Sequence, residues 1–155
     1  MRRAWTIVII GCALVWLAAS TSVEAQRKGG DPKGGDPKAA ALKNPVAPTP
    51  ANIALGKRVY EQNCRQCHGV RGKGDGTLAP TNPKPADFTD DKWEHGSTDG
   101  ELYTLILNGA PPRAWQKESE MKPMKGTLSP TQIWQVINFI RTFNPKTAPA
   151  APAKK

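Results

Sequence analysis

The strongest pattern along the chain is an apolar stripe near its C-terminal end. The stripe is formed by side chains that recur at the three- and four-residue intervals of one helix face, namely Ile133, Trp134, Val136, Ile137, Ile140 and Phe143. The preceding Ser129–Gln132 sequence combines an N-cap serine, a proline at the first helical position and a capping-box glutamine. These signals predict a helix that begins at Pro130.

Weaker forms of the same pattern predict two further helices. Thr49 can cap a helix that has Pro50 at its first position and runs to about Asn63. The Thr98–Glu101 sequence fits a capping box and opens a helix that ends near Gly109. No stretch alternates convincingly between apolar and polar residues, and the intervening stretches are rich in glycine and proline. The sequence therefore predicts a small all-α domain over residues 51–145, with about three main helices and long loops.

The first 25 residues do not match the rest of this pattern. Arg2 and Arg3 precede an apolar run from Trp5 to Ala19, and small residues at Val23 and Ala25 favour cleavage before Gln26. This layout predicts a signal peptide over residues 1–25 and hence export to the periplasm of a bacterium. An uncleaved signal would instead be a membrane anchor. Lipidation at Cys12 is disfavoured, because the apolar run continues past that residue.

The two ends of the mature chain have the composition of disordered segments. Residues 26–50 repeat the sequence Lys-Gly-Gly-Asp-Pro and carry few apolar side chains, which predicts a flexible linker. Residues 146–155 are rich in alanine, proline and lysine and predict a disordered tail.

The charge of the chain also lies mostly in its extensions. The formal net charge is +9, but residues 44–145 carry twelve basic and ten acidic side chains. A nucleic-acid-binding domain needs basic residues concentrated on a folded face with aromatic residues among them. The distribution therefore argues against a nucleic-acid partner and favours solvated tails with a weak attraction to membranes.

The mature chain keeps two cysteines, both in the sequence Cys64-Arg65-Gln66-Cys67-His68. A structural zinc site needs four ligands, and the only other His or Cys is His95, at a spacing that fits no common zinc pattern. A redox-active dithiol is typical of a βαβ fold, which this chain does not predict. Both alternatives are disfavoured.

Covalent attachment of a haem uses every chemical group of the motif. Cysteines one helical turn apart can form thioethers to the two vinyl groups of one porphyrin, and His68 projects from the same face towards the iron. The thioethers also explain how two exported thiols avoid a disulfide. We therefore predict one covalently bound haem c, with Cys64 and Cys67 as its attachment points and His68 as the proximal iron ligand.

The sixth coordination position of the iron decides between carrier and catalyst. Met121 and Met124 lie in a lysine-rich stretch just before the last helix, where an apolar side chain is unusual unless it turns inward. Either sulfur could close the sixth position, which would leave electron transfer as the chemistry. An open position would instead allow a small molecule to bind or react.

Taken in order, these segments resemble the class I monohaem c-type cytochromes, which are small exported bacterial electron carriers. The resemblance runs from about Ala51 to Asn144 and is carried by "ALGKRVYEQNCRQCHGVRGKGDG", "NPKPADFTD", "WEHGSTDGELYTLILNG" and "MKPMKGTLSPTQIWQVINFIR". It implies a cytochrome c-like fold wrapped around one haem. It departs from the family pattern where Lys122 separates Met121 from Pro123.

The resemblance also implies roles for individual residues. The spacing to Leu128 implies that Met121 is the distal ligand, with Met124 as the alternative. A proline carbonyl about a dozen residues after the histidine would accept its Nδ1–H, which implies Pro80, with Pro83 as second choice. Three further residues would form the crossing of the first and last helices: Gly56, Tyr60 and Phe139.

The function that the resemblance implies is one-electron transfer rather than enzyme catalysis. A monomeric carrier would pass electrons between exported or membrane-bound proteins through transient docking at the haem edge. Five basic residues near the haem motif and the methionines could form a docking rim: Arg65, Arg71, Lys73, Lys122 and Lys125. The alternatives are a tethered subunit of a larger oxidoreductase or respiratory complex, and a haem protein with an open sixth site.

Overall fold

A computed structural model describes residues 37–93, 95–111 and 121–149, and the regular structure in these ranges is helical. The helices are α1 (Pro37–Ala40), α2 (Pro50–Asn63), α3 (Arg65–His68), α4 (Asp99–Asn108) and α5 (Pro130–Ile140), followed by a 3₁₀ turn over Arg141–Phe143. The only β-type pairing in the described ranges is an isolated bridge between Lys125 and Leu128. The all-α prediction is confirmed. The predicted signal peptide and the end of the tail lie outside the described residues.

The helices begin where the capping signals predicted. The Ser129 hydroxyl accepts a hydrogen bond from the Gln132 amide at 3.3 Å, and the Gln132 side chain accepts from the Ser129 amide at 2.8 Å. Thr98 and Glu101 make the same reciprocal pair at the start of α4. At α2, the Thr49 hydroxyl accepts from Asn52. Each cap satisfies amides that the first helical turn would otherwise leave unpaired.

Helices α2 and α5 cross at Gly56, which allows their backbones to touch. A Cβ atom at this position would overlap the carbonyl oxygen of Gln135. One turn further along α2, the Tyr60 ring lies 5.3 Å from the ring of Phe139, measured between centroids. The sequence prediction for this crossing is confirmed.

Helix α4 and the loop residues Phe88 and Leu128 close the core around this crossing. Eleven buried apolar residues form one continuous cluster: Val59, Tyr60, Phe88, Leu102, Ile106, Leu128, Ile133, Trp134, Val136, Ile137 and Ile140. The apolar stripe that predicted α5 supplies five of them. Cys64, Met121 and Met124 pack against this cluster, so the core that α5 dominates supports both the haem motif and the methionines.

The segment before α2 packs on the domain over its described part. Ala39 is buried, and the Asn44 side-chain amide donates to Asn138 Oδ1 at 2.9 Å. The Asn138 side chain in turn donates to the Val46 carbonyl at 2.9 Å. Residues 37–50 thus differ from the flexible linker expected from the sequence, because side-chain hydrogen bonds to α5 and the packing of Ala39 and Val46 attach them to the domain.

The C-terminal segment is also attached to the domain through residue 149. Asn144 donates to the Asp90 carbonyl and to the Asp91 carboxylate, and the Lys146 ammonium contacts the same carboxylate at 2.6 Å. Among the helices of the described ranges, none combines the length and apolar character needed to cross a bilayer.

Candidate haem site

The haem motif lies at the end of α2, where the chain turns directly into α3. The Cys64 amide donates to the Tyr60 carbonyl, which continues the α2 pattern by one residue. The amides of Cys67 and His68 both donate to the Cys64 carbonyl, at 3.2 and 2.9 Å. These bonds place Cys64, Cys67 and His68 on a single helical turn, which is the arrangement that the sequence predicted.

The two thiols have different surroundings. Cys64 packs against the core cluster. This burial is the main cause that raises the pKa of its thiol to about 12, and the charge of the neighbouring Cys67 adds a smaller increase. The Cys67 sulfur lies 3.6 Å from the carbonyl oxygen of Leu78. Both cysteines are half-buried free thiols, so both are available for thioether formation.

The loop of residues 69–78, which we call the histidine loop, caps the carbonyl groups of α3. The Gly74 amide donates to the His68 carbonyl at 2.9 Å, and the Gly76 amide donates to the Cys67 carbonyl at 3.1 Å. Gly74 has a φ of +65°, and a Cβ atom there would overlap the carbonyl oxygen of Pro85. The loop needs glycine there because the left-handed conformation and the close backbone leave no room for a side chain.

The His68 imidazole has a carbonyl partner, but it is not the one that the sequence proposed. Its Nδ1 atom lies 3.3 Å from the carbonyl oxygen of Ala86, and not beside the carbonyl of Pro80 or Pro83. Burial lowers the pKa of the imidazole, although the hydrogen bond to Ala86 opposes this. The ring is therefore favoured in its neutral form, with Nδ1–H donating and Nε2 free to bind a metal.

The prediction of Pro80 as this acceptor is wrong, because Nδ1 of His68 lies beside the Ala86 carbonyl and the segment before Pro80 is bonded to Gln66 instead. The Leu78 amide donates to the Gln66 carbonyl at 2.8 Å, which holds the neighbouring residues near the start of the motif. The segment of residues 85–88 instead crosses beside His68, since the Phe88 amide donates to the Gly72 carbonyl at 2.7 Å. The acceptor of the imidazole therefore comes from this second crossing.

Phe88 is a site residue that the sequence analysis did not identify. Its ring stacks on the His68 imidazole, with centroids 4.6 Å apart and planes inclined by 17°. The only sequence signal was an aromatic residue within the "NPKPADFTD" stretch, and that stretch had no assigned role at the level of single residues. Its contact with His68 joins residues twenty positions apart across a loop without regular structure.

The methionines lie in a loop of residues 121–128, the methionine loop, which runs along the C-terminal end of α4. The Ala110 amide donates to the Met121 carbonyl at 3.1 Å, and the Met124 amide donates to the Ile106 carbonyl at 3.0 Å. Gly109 makes this approach possible, because a Cβ atom there would lie 2.5 Å from the Met121 carbonyl oxygen. Both methionine side chains are half-buried and pack against the core cluster.

The chemistry of these residues fits a covalently attached haem. Two free thiols lie on the same turn as an imidazole whose Nδ1 is already hydrogen-bonded, so Nε2 can bind the iron. Across residues 37–93, 95–111 and 121–149, no three His, Cys, Asp or Glu side chains cluster in a way that could hold a bare metal ion. This arrangement is unlike the closed four-ligand shell of a structural zinc site.

Known proteins with similar sequences are subunits of oxidase complexes. FixP, a cbb3-type cytochrome c oxidase subunit of Bradyrhizobium sp. (strain ORS 278), is 31% identical over 92 residues, which are 59% of this chain and 28% of FixP. CcoP, a cbb3-type cytochrome c oxidase subunit of Rubrivivax gelatinosus, is 26% identical over 100 residues, which are 64% of this chain and 28% of CcoP. The chain thus spans little more than a quarter of the length of these relatives.

Among solved structures, the chain is similar to a chain of the reducing HAO-like protein complex of Kuenenia stuttgartiensis. The sequence identity is 28% and the TM-score is 0.56, over 68% of this chain and 48% of that chain. The sequence profile of the cytochrome c family matches residues 53–144, which is more than half of the chain. The protein therefore belongs to the cytochrome c family, as a class I c-type cytochrome with one covalently bound haem c.

Proposed function

We propose that the protein is a one-electron carrier whose haem is held between His68 and a methionine, with Met121 as the distal ligand. The observation that carries this proposal is the combination of the Cys64–His68 turn with a loop that holds two half-buried methionines against the same core. When bound, the haem iron supplies the Fe(III)/Fe(II) couple. The residues around it bind and orient the group and limit its exposure to water.

On the histidine side, the protein holds the ligand in a single protonation state. The Ala86 carbonyl accepts the Nδ1–H of His68, which makes the imidazole a more basic ligand through Nε2. Cys64 and Cys67 would supply thioether sulfurs from the same turn. All three groups belong to one turn whose carbonyls are capped. We therefore expect their relative positions to change little with the oxidation state of the iron.

On the methionine side, the backbone is fixed while the choice of sulfur stays a prediction. Met121 follows from the family spacing to Leu128, and Met124 is the alternative four residues before the same leucine. A thioether sulfur favours the reduced iron, so a methionine ligand raises the potential above that of a bis-histidine haem. A second fixed ligand also closes the position at which a small molecule would react.

The absorption spectrum of the purified mature protein, oxidised and reduced, tests the proposal. We expect a low-spin c-type spectrum with the weak long-wavelength methionine–iron band, lost in Met121→Ala and kept in Met124→Ala. Retention of the band in Met121→Ala would identify Met124 as the ligand. A high-spin spectrum that shifts on addition of carbon monoxide would replace the carrier with a haem protein that has an open sixth site.

Redox partners should dock transiently at the exposed edge of the haem, with the protein acting as a monomer. Five exposed basic residues lie close in sequence to the haem motif or the methionines: Arg65, Arg71, Lys73, Lys122 and Lys125. Leu78, beside Cys67, is 64% exposed and adds an apolar contact to this surface. Charge-assisted docking predicts electron-transfer rates that fall steeply with salt, and a flat salt profile would contradict it.

A second candidate function is a tethered subunit of a larger complex. The support comes from the relatives, whose names describe them as subunits of cbb3-type cytochrome c oxidases. Export through residues 1–25 places either form in the periplasm, and retention of this segment would hold the domain at the membrane. Gel filtration of native membrane and periplasmic fractions distinguishes the two, because the carrier elutes at the size of the single chain.

A further inference from the structure

Phe88 connects the histidine ligand to the aromatic part of the core. On one side its ring stacks on His68, and on the other it contacts the rings of Tyr60, Trp93 and Phe143 at centroid distances between 5.5 and 6.4 Å. Phe88 is 7% exposed. Its amide is also bonded to the Gly72 carbonyl at 2.7 Å, so both its backbone and its side chain are held.

The hydrogen bond to Ala86 does not by itself determine the plane of the imidazole. The outer torsion of a histidine side chain is broad, because it joins a tetrahedral to a planar carbon. The Nδ1 to Ala86 distance of 3.3 Å is longer than that of a typical N–H···O bond, so the ring could tilt while keeping this bond. A flat ring stacked against the imidazole, with planes only 17° apart, restricts that tilt directly.

We propose that Phe88 is a positioning residue that sets the plane of the His68 imidazole at the iron. The proposal rests on His68 being the proximal ligand. The Ala86 carbonyl fixes the protonation state of the His68 imidazole. The Phe88 ring, which stacks on the imidazole, fixes its orientation. If His68 binds the iron, the plane of its imidazole would influence how unpaired spin spreads over the porphyrin.

Three variants of the full-length holoprotein separate this role from ordinary core packing. Phe88→Leu removes the flat face, and Phe88→Tyr keeps it. Phe139→Leu is the matched control, because Phe139 contacts Tyr60 and Phe143 in the same aromatic cluster and makes no ring contact with His68 within the described residues. Unfolding by denaturant measures the packing loss in each variant separately from the spectroscopic readout.

The readouts are the electron paramagnetic resonance spectrum and the haem methyl proton shifts of the oxidised protein, which both depend on the ligand plane. We expect Phe88→Leu to broaden the largest-g signal and to change the order or spread of the methyl shifts. Phe88→Tyr should retain the wild-type pattern. Phe139→Leu should lower stability and leave both signals unchanged.

The proposal is overturned if Phe88→Leu keeps the wild-type signals, or if Phe139→Leu changes them as much as Phe88→Leu does. Phe88→Met, which retains more volume, serves if the leucine variant does not yield holoprotein. Failure of both to fold would make Phe88 a core residue only, and would also overturn the proposal. The variants test only the positioning role of Phe88. The proposed function would be refuted separately, by a spectrum of the wild-type protein that shows no histidine ligation.

Discussion

The proposed iron ligands lie on two segments, the turn that ends at His68 and the methionine loop, and the protein supports these segments in different ways. Around His68, backbone hydrogen bonds, the Ala86 carbonyl and the Phe88 ring all act on one residue. Around the methionines, the described contacts are backbone bonds to the end of α4 and packing of the two side chains on the core. A ring stacked on the ligand side chain is described for His68, whereas backbone hydrogen bonds and core packing are described for the methionines.

This difference indicates that the two proposed ligands need to be held with different precision. If His68 binds the iron, a fixed ring plane and protonation state would orient this ligand and tune its basicity. A thioether carries no proton and binds through a single sulfur on a flexible side chain, so it tolerates looser support. The four predictions below test this contrast, beginning with the largest expected effect.

Replacement of a glycine should destabilise the histidine side much more than the methionine side. Gly74→Ala combines a positive φ with overlap between the new Cβ and the Pro85 carbonyl, and should cost about 3–5 kcal/mol. Gly126→Ala also has a positive φ, but its new Cβ meets nothing within 4 Å, so it should cost about 1–2 kcal/mol. Denaturant titration measures both, and equal losses would contradict the contrast.

Gly109→Ala tests whether one close approach places the methionine loop. Its Cβ would lie 2.5 Å from the Met121 carbonyl oxygen at a φ of +79°, so the loop must shift away from α4. We expect the methionine–iron band to weaken, with a stability loss of about 2–4 kcal/mol. Gly126→Ala, in the methionine loop itself, is the control and should keep the band. An unchanged band in Gly109→Ala would show that the sulfur position does not depend on this contact.

Tyr60→Phe should weaken the connection between α2 and the histidine loop. The buried Tyr60 hydroxyl donates to the Gly69 carbonyl at 2.7 Å. Its removal leaves that carbonyl with only the longer bond from the Gly72 amide, at 3.3 Å, at a cost of about 0.5–1.5 kcal/mol. Tyr103→Phe is the matched control, because the Tyr103 ring stacks on Trp134 and its hydroxyl makes no hydrogen bond within the described residues. Thermal unfolding should separate the two variants, and equal midpoints would argue against the role of the hydroxyl.

The smallest effect should be a loss of stability in acid that comes from Asp87, between the two residues that contact His68. Burial acts to raise the pKa of this carboxyl. Hydrogen bonds from Thr89 and the charges of Lys73 and Lys84 outweigh burial and hold the pKa below its usual value. Its contribution is therefore present above about pH 4 and is lost as the pH falls through the lowered pKa.

Asp87→Asn should reduce the slope of unfolding free energy against pH below about pH 4, and Thr89→Val should give part of the same reduction. The change is small because Asp87 is partly exposed to solvent. Denaturant titrations at a series of acidic pH values measure it. Identical slopes in the wild type and in Asp87→Asn would rule out a contribution from this carboxylate.

The features that the sequence predicted correctly depend on neighbours along the chain. The caps at Thr49, Thr98 and Ser129 were predicted from fixed local spacings, and the structure contains all three. The linker expected over residues 26–50 is the instructive difference, because Asn44 and Asn138 attach its second half to α5. Side-chain amides paired across ninety-four residues have no signature in a composition that otherwise indicates disorder.

The sequence alone determined the haem motif, since Cys64, Cys67 and His68 lie within one helical turn and local geometry places them together whatever the rest of the chain does. Only the tertiary structure decided what surrounds the imidazole. The segment that contains Ala86 and Phe88 reaches His68 through an irregular loop, and the path of such a loop depends on long-range packing. As a result of that packing, the acceptor of the imidazole is Ala86 and not the predicted Pro80, and Phe88 stacks on the ring.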